Sequence, residues 1–186
     1  NTNKLDGNDY SVNIDVDEQP TGDFQIGVTF GTIEGATLIT ELNEKNIAGT
    51  GRDLSFVVNT SENNSKYKLS TKEPFAFNQP VDLLYGLEFT ERDLSNSSSY
   101  QVDTLKFDSG IKFDISDRLK YGFTINYELK DYTITNSSTA SSSIINSSGK
   151  NIFINFINNL NYYDLNSFFN PSDGTSIKYQ NTISPP

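Results

Sequence analysis

Leu105-Lys106-Phe107-Asp108-Ser109-Gly110-Ile111-Lys112-Phe113-Asp114-Ile115, then Ser116-Asp117-Arg118, then Leu119-Lys120-Tyr121-Gly122-Phe123-Thr124-Ile125-Asn126-Tyr127-Glu128-Leu129 is the stretch on which the fold turns. Apart from Ser109, apolar residues hold every second position, and Lys106, Asp108, Lys112, Asp114, Lys120, Thr124, Asn126 and Glu128 fall between them. A period of two belongs to a strand with one apolar face; a helix would repeat every 3.6 residues. Keeping both apolar sets on one face requires an odd loop, and residues 116–118 supply three. Ile115 is then expected opposite Leu119, Phe113 opposite Tyr121 and Ile111 opposite Phe123. The other face independently pairs Asp114 with Lys120 and Lys106 with Glu128. Each opposite-charge pair contributes about 0.2–1 kcal/mol, whereas a slip of one residue would turn every apolar side chain over.

The same alternation extends both ways. Phe24, Ile26, Val28 and Phe30 begin it, followed by Ala36, Leu38, Thr40 and Leu42. Leu54, Phe56 and Val58 come next, then Tyr67 and Leu69, then Leu83, Tyr85, Leu87 and Phe89. Beyond the central pair stand Ile152, Ile154, Phe156, Leu160 and Tyr162, and finally Ile177, Tyr179 and Ile183. About nine strands and no amphipathic helix make the chain all-β and antiparallel.

Composition narrows the function. The 186 residues contain no His, Cys, Met or Trp, which excludes disulfides, thiolate nucleophiles, Cys/His zinc sites and a Ser-His-Asp triad. A net charge of -10 argues against nucleic acid as a partner, since a phosphate backbone calls for a basic stripe. A chain without Met cannot begin at a translation start, so Asn1 is expected to lie inside a longer product or behind a processed segment. No apolar run is long enough for a transmembrane helix, and no signal peptide is visible. A transmembrane β-barrel passes all these tests, because its strands need only alternate. Leu105–Ile115 and Leu119–Leu129 each have the roughly 9–11 tilted residues that a spanning strand needs. In that reading Phe107, Phe113, Tyr121, Phe123 and Tyr127 face lipid and the charges line a wet lumen. In a secreted sandwich the same residues would form a dry core, with residues 136–150 as a binding loop.

Loop character points the same way. Connections at 61–64, 91–101 and the Ser/Asn tract 136–150 alternate with a short one at 116–118 and with Gly- or Pro-punctuated ones at 46–51, 74–80 and 164–174. Outer-membrane barrels carry longer loops outside and shorter turns on the periplasmic side. Tyr10, Val12, Ile14 and Val16 form a separate run that ends at Asp17-Glu18-Gln19-Pro20. A boundary is therefore expected near Thr21, with residues 1–20 closing a soluble domain and 21–186 forming barrel.

Four motifs resemble one family. Val16-Asp17-Glu18-Gln19-Pro20-Thr21-Gly22-Asp23-Phe24 resembles the join between a polypeptide-transport-associated (POTRA) domain and the first barrel strand of outer-membrane protein assembly factors and their wider superfamily. Asn46-Ile47-Ala48-Gly49-Thr50-Gly51 resembles that family's turn between the second and third strands, with Ala48 in place of the usual Leu. Glu73-Pro74-Phe75 resembles its Asn/Asp-Pro-Tyr-Phe element after the fourth. Asp164 with Asn170-Pro171-Ser172-Asp173-Gly174-Thr175 resembles the segment before the ninth, with Ser172 in place of Thr. Their order and spacing span the chain. The resemblance implies an up-and-down barrel of about sixteen strands, of which this chain would supply the first nine or so behind the end of a periplasmic POTRA domain.

The resemblance further implies a protein of the bacterial outer membrane that folds and inserts β-barrel proteins, without bond chemistry or cofactor. Its implied partners are unfolded outer-membrane β-barrel substrates, assembly-complex lipoproteins and outer-membrane lipid. The lateral-gate strand, which pairs with the incoming substrate, would be Phe24, Gln25, Ile26, Gly27, Val28, Thr29 and Phe30. Unpaired N–H and C=O groups on such an edge template an added strand, and Gly27 and Gly31 should loosen its packing. A translocation-and-assembly relative is the alternative within the family, and a passive porin or the secreted sandwich the alternatives outside it. Other chemistry has little support. Asp15, Asp17 and Glu18 lack an EF-hand's glycine-turned spacing. Glu88/Glu91 and Glu41/Glu44, as glycosidase pairs, would sit on opposite faces of a strand. The Asn-Ser-Ser repeats match glycosylation acceptors only as a Ser/Asn-rich tract does by chance, and Gly49-Thr50-Gly51 lacks the Lys and helix of a phosphate loop.

Overall fold

The computed structural model describes residues 2–4, 10–12, 20–32, 34–167 and 169–185. Two short strands, β1 (Thr2–Lys4) and β2 (Tyr10–Val12), pair antiparallel with Lys4 opposite Tyr10. The expected continuation through Ile14 and Val16, with the acidic residues Asp15, Asp17 and Glu18, lies outside the described residues.

Each of the nine alternating runs from Phe24 onward is a strand: β3 (Gly22–Gly31), β4 (Gly35–Glu44), β5 (Asp53–Thr60), β6 (Asn64–Glu73), β7 (Val81–Asp93), β8 (Tyr100–Ser116), β9 (Leu119–Ile134), β10 (Gly149–Leu165) and β11 (Gly174–Ile183). They form one antiparallel sheet in strict chain order, with β3 at one end and β11 at the other, and the two ends do not meet. The topology is up-and-down and the sheet is open.

Registers join the apolar residues into rows that cross the sheet. Phe24, Leu42, Phe56, Leu69, Leu87, Phe107, Tyr127 and Ile154 lie directly opposite one another from β3 to β10. Ile26, Thr40, Val58, Tyr67, Phe89, Leu105, Leu129 and Ile152 form the next row. Tyr67 stacks on Phe89 at 6.5 Å between ring centroids, and Phe113 meets Tyr121 edge-on at 5.5 Å. Among the described residues no second layer covers these rows. Phe24, Ile26, Leu42, Leu87 and Phe107 are all exposed, whereas Thr104, Asn126 and Glu128 are buried. A soluble sheet would bury its apolar face, so this inversion removes the sandwich reading. It is the arrangement of a barrel wall, apolar toward lipid and polar toward the lumen.

Two expectations need correction. Phe113 opposes Tyr121 and Ile111 opposes Phe123 as expected, with Asp114 opposite Lys120 and Lys106 opposite Glu128. Ile115, however, does not oppose Leu119. Ser116 does, with Ile115 as the extra residue of a bulge and Asp117-Arg118 as a two-residue turn. Bulge and three-residue loop preserve the same parity, so every residue beyond Asp114 keeps its face. Loop length is also less polarised than expected. At one end the β3–β4 and β5–β6 connections are tight turns, and those at 94–99 and 135–148 are longer. At the other end 45–52, 74–80 and 166–173 are all longer than those two turns. Ser/Asn content does not segregate cleanly either, since the 166–173 connection carries Asn166, Ser167, Asn170 and Ser172.

Strand length is uneven as well. β3 and β4 have 10 residues each, whereas β8, β9 and β10 have 17, 16 and 17. About 9–11 tilted residues suffice to span a bilayer, so β8–β10 project beyond the apolar rows. Glu91, Asp103 and Asp131, aligned with one another, lie on that projection.

Candidate functional site

Strand β3 carries all seven residues of the expected gate: Phe24, Gln25, Ile26, Gly27, Val28, Thr29 and Phe30. It pairs with β4 alone, from Gly22 opposite Glu44 to Gly31 opposite Gly35, so among the described residues its outer edge has no partner. Its apolar side chains are the barest in the sheet's interior rows, with Ile26 at 67% and Phe30 at 82% exposure. The hairpin to β4 closes at Gly35, whose φ of +68° is a left-handed conformation that glycine adopts without strain. On the polar side Asn43 Nδ2 donates to Glu41 Oε1 at 2.8 Å and to Asp23 Oδ2 at 3.4 Å, and Gln25 Nε2 donates to Asp23 Oδ2 at 3.0 Å. Near its start, Thr21 hydroxyl donates to the Glu44 carboxylate. The Asn43–Asp23 and Thr21–Glu44 bonds cross between the two strands, the other two lie within one strand, and none reaches the outer edge of β3.

Farther along, the polar face holds a charge ladder that sequence reading reached only at its Lys106–Glu128 rung. Glu88 receives Lys66 at 3.1 Å and Lys106 at 3.7 Å; Glu128 receives Lys106 at 3.5 Å and Lys130 at 3.4 Å. The ladder crosses β6, β7, β8 and β9. Both carboxylates are largely shielded from water, at 13% and 12% side-chain exposure, and shielded charges need partners. Lys130 also sits 5.3 Å from the Phe153 ring centroid. A hydrogen-bond ladder that ends on a carboxylate runs beside it: Asn126 donates to Asp108 at 2.8 Å, Asn155 to Asn126 at 2.8 Å and Ser184 to Asn155 at 2.5 Å, linking β8 through β9 and β10 to the residue just past β11.

The turn residues gather at the opposite end of the strands from the 94–99 and 135–148 loops. Gly49 and Gly51 take φ of +73° and +72°, Asn46 Oδ1 accepts the Gly51 N–H at 2.6 Å, and Thr50 Oγ1 donates to the Ile47 carbonyl at 2.7 Å. Ala48 shares the left-handed region at φ 52°. Pro74 precedes Phe75, itself left-handed at φ 53° and exposed. Glu73, which stands where that motif has Asn or Asp, pairs with Arg52 at 2.9 Å and joins the two turns. In the last turn Asn166 Oδ1 accepts the N–H groups of Ser172 and Asp173, after Pro171, and Asp173 Oδ1 accepts the Gly174 N–H at 2.8 Å. Gly174 has φ +118°, and a Cβ there would lie 2.0 Å from the Asp164 carbonyl oxygen. Only glycine fits. Asp164 meets Arg118 at 3.2 Å, tying the β8–β9 turn to β10. These residues shape turns and converge on no single pocket. Glu88 and Glu91 lie on opposite faces, as do Glu41 and Glu44, so neither is a carboxylate pair. Among the described residues no cluster of three or more acidic residues could hold a metal ion.

Comparison with known proteins gives this geometry a context. Residues 46–186 match the Omp85 superfamily domain. The chain is 25% identical over 127 residues to the outer membrane protein assembly factor BamA of Buchnera aphidicola, covering 67% of this chain and 21% of that protein. Its fold matches the crystal structure of BamA from Haemophilus ducreyi lacking POTRA domains 1–3, with a TM-score of 0.69 and 18% identity, over 91% of this chain and 35% of that one. The nine-stranded open sheet thus corresponds to part of a BamA barrel, and the chain spans about a fifth to a third of the length of these relatives.

Proposed function

This chain belongs to the Omp85 superfamily, and from that premise we propose that its sheet is the leading wall of an assembly barrel in which β3 is the strand offered to substrates. The chain is BamA-like and belongs to the bacterial outer membrane. In the proposed function, unfolded outer-membrane β-barrel proteins add a strand to the free edge of β3, and the barrier to their insertion falls because that edge supplies N–H and C=O partners before the bilayer is crossed. The β1–β2 ladder is the end of a periplasmic POTRA domain in this reading, and assembly lipoproteins are partners on that side. No bond is made or broken, so no cofactor is called for.

The observation that carries the reading is the place of β3 as the first strand of the nine-stranded sheet, paired to β4 alone among the described residues; β11, at the other end, is paired on one side as well. With a rise of about 3.3 Å per residue, the ten tilted residues of β3 and of β4 span roughly 25 Å, the height of the apolar band of such a wall. The test is made in the complete protein. Cysteine at Gln25 or Thr29 is expected to crosslink to the barrel's closing strand at rest and to a stalled substrate strand during assembly. Failure at every position from Phe24 to Phe30 would sink the assignment.

A further inference from the structure

We infer that the polar side of Gly27 is a seat for an aromatic side chain carried by the strand that adds to β3, an inference that rests on the edge-strand reading above. Four glycines stand inside the strands with their missing side chains toward the polar face: Gly27, Gly86, Gly110 and Gly122. At the last three a neighbouring strand stands within 4 Å, too close for a side chain at Gly110 and at ordinary contact distance at Gly86 and Gly122. A Cβ on Gly86 would meet Asp108 Oδ2 at 3.4 Å, one on Gly110 would meet Thr124 Oγ1 at 2.6 Å, and one on Gly122 would meet Asn159 Cβ at 3.8 Å. At Gly27 a Cβ would meet nothing within 4 Å.

Nothing in the chain itself accounts for this glycine. Its φ is not left-handed, so alanine could adopt the conformation. Glycine inside a strand is less favourable than alanine by about 0.5–1 kcal/mol and commonly marks a place where another group approaches closely. Gly27 lies at the middle of an edge strand whose outer side has no partner among the described residues, so the approaching group is one that an added strand would bring. The hollow also has a chemical character. Ile39, half-buried, lies directly across from Gly27 on β4, and Gln25 and Thr29 flank the glycine on the same face. A flat floor, an apolar wall and polar ends suit a ring better than a branched aliphatic side chain, and aromatic side chains packed over edge glycines pin strand register. A residue opposite Gly27 on an added strand would have its Cβ about 4.5–5.5 Å away, close enough for its ring to lean over the glycine onto Ile39.

The seat predicts which strands pair well and in which register. The test uses the complete protein in outer membrane, with Thr29→Cys as reporter and, as probe, an eight-stranded outer-membrane barrel whose pairing strand carries a cysteine and either Tyr or Ala at the lumen-facing position opposite Gly27. The Tyr probe is expected to crosslink about threefold more than the Ala probe, the scale of one favourable cross-strand pair. Gly27→Val should erase that preference by lowering the Tyr probe alone, and Gly27→Ala should reduce it partway, which covers the case of a valine variant that does not insert. A Tyr/Ala ratio unchanged by both substitutions, with crosslinking intact, would overturn the seat and leave the edge strand standing. Absence of crosslinks to either probe at every position of β3 would overturn the edge strand and the seat with it.

Discussion

Gly110 and Gly27 form a matched pair for testing how closely the strands approach. Both are mid-strand glycines facing the polar side, and alanine adds the same methyl group to each. At Gly110 that methyl would lie 2.6 Å from Thr124 Oγ1, 2.9 Å from the Phe123 carbonyl oxygen and 3.3 Å from Thr124 Cα. The hydroxyl can rotate away, but the backbone oxygen belongs to the β8–β9 ladder and moves only if that ladder shifts. Overpacking of this kind costs about 1–3 kcal/mol, partly offset by the roughly 0.5–1 kcal/mol that removing a strand glycine returns. Gly27→Ala keeps the gain and meets no neighbour among the described residues. The two variants should therefore differ by about 1–3 kcal/mol, the overpacking term alone, with Gly110→Ala the less stable and Gly27→Ala equal to or above the parent. The assay is urea unfolding of the complete barrel in phospholipid vesicles, read by the fraction that retains folded mobility in unheated SDS gels. Equal shifts of the midpoint in the same direction would refute the close approach of β8 to β9 at Gly110.

Three further outcomes are expected. Glu128→Gln leaves Lys130 with Phe153 and Lys106 with Glu88 at 3.7 Å, so the same unfolding assay should show a loss of about 1–3 kcal/mol, smaller when Lys130→Gln is made with it. Cysteines at Asp108 and Asn126, which face each other across β8 and β9, should form a disulfide readily, and cysteines at Asp108 and Ile125 should not; the reverse pattern in non-reducing gels would put the register off by one. Asp93, beyond the membrane-spanning rows, is held below the ordinary aspartate range first by its bonds to Ser95 and then by the Gln101 amide. A depressed carboxyl contributes above its unfolded value and loses that contribution as pH falls through the folded one. The Ser95 amide should thus stay protected from hydrogen exchange through the ordinary aspartate range and lose protection only below it, whereas Asp93→Asn should remove the pH dependence.

Alternation made the strands legible because each crosses a boundary between an apolar and a polar medium, and residues such as Phe107, Phe113 and Phe123 record which side is which. Where the strand leaves that boundary the record stops. Glu91, Asp103 and Asp131 continue β7, β8 and β9 without an apolar partner to mark the period, so the length of these strands could not be read. The bulge at Ile115 was hidden for a different reason: a three-residue loop and a two-residue turn with one extra residue leave Phe113 and Tyr121 in the same place. The Ser/Asn tract near residue 136 and residues 61–64 share a composition but not a length, because composition says how a connection is solvated and little about how long it is. The charge ladder needed the relative register of four strands at once, and only one hairpin could be registered from sequence. Gly27 was legible as a loosening residue, but the emptiness beside it is a property of three dimensions.

The ladders also differ in how firmly they hold. β4 is bonded to β5 only from Leu38 to Glu44, whereas β8 is bonded to β9 from Tyr100 to Ser116 and the ion pairs bind Lys66 to Lys130 across the strands between. In mechanical terms the sheet is a stiff plank with a compliant leaf. A pull on β3 is absorbed by bending near β5 and reaches the plank attenuated. Thermal fluctuation concentrates in the leaf for the same reason, so the wall can flex at its edge many times without loosening the part that keeps it in the membrane.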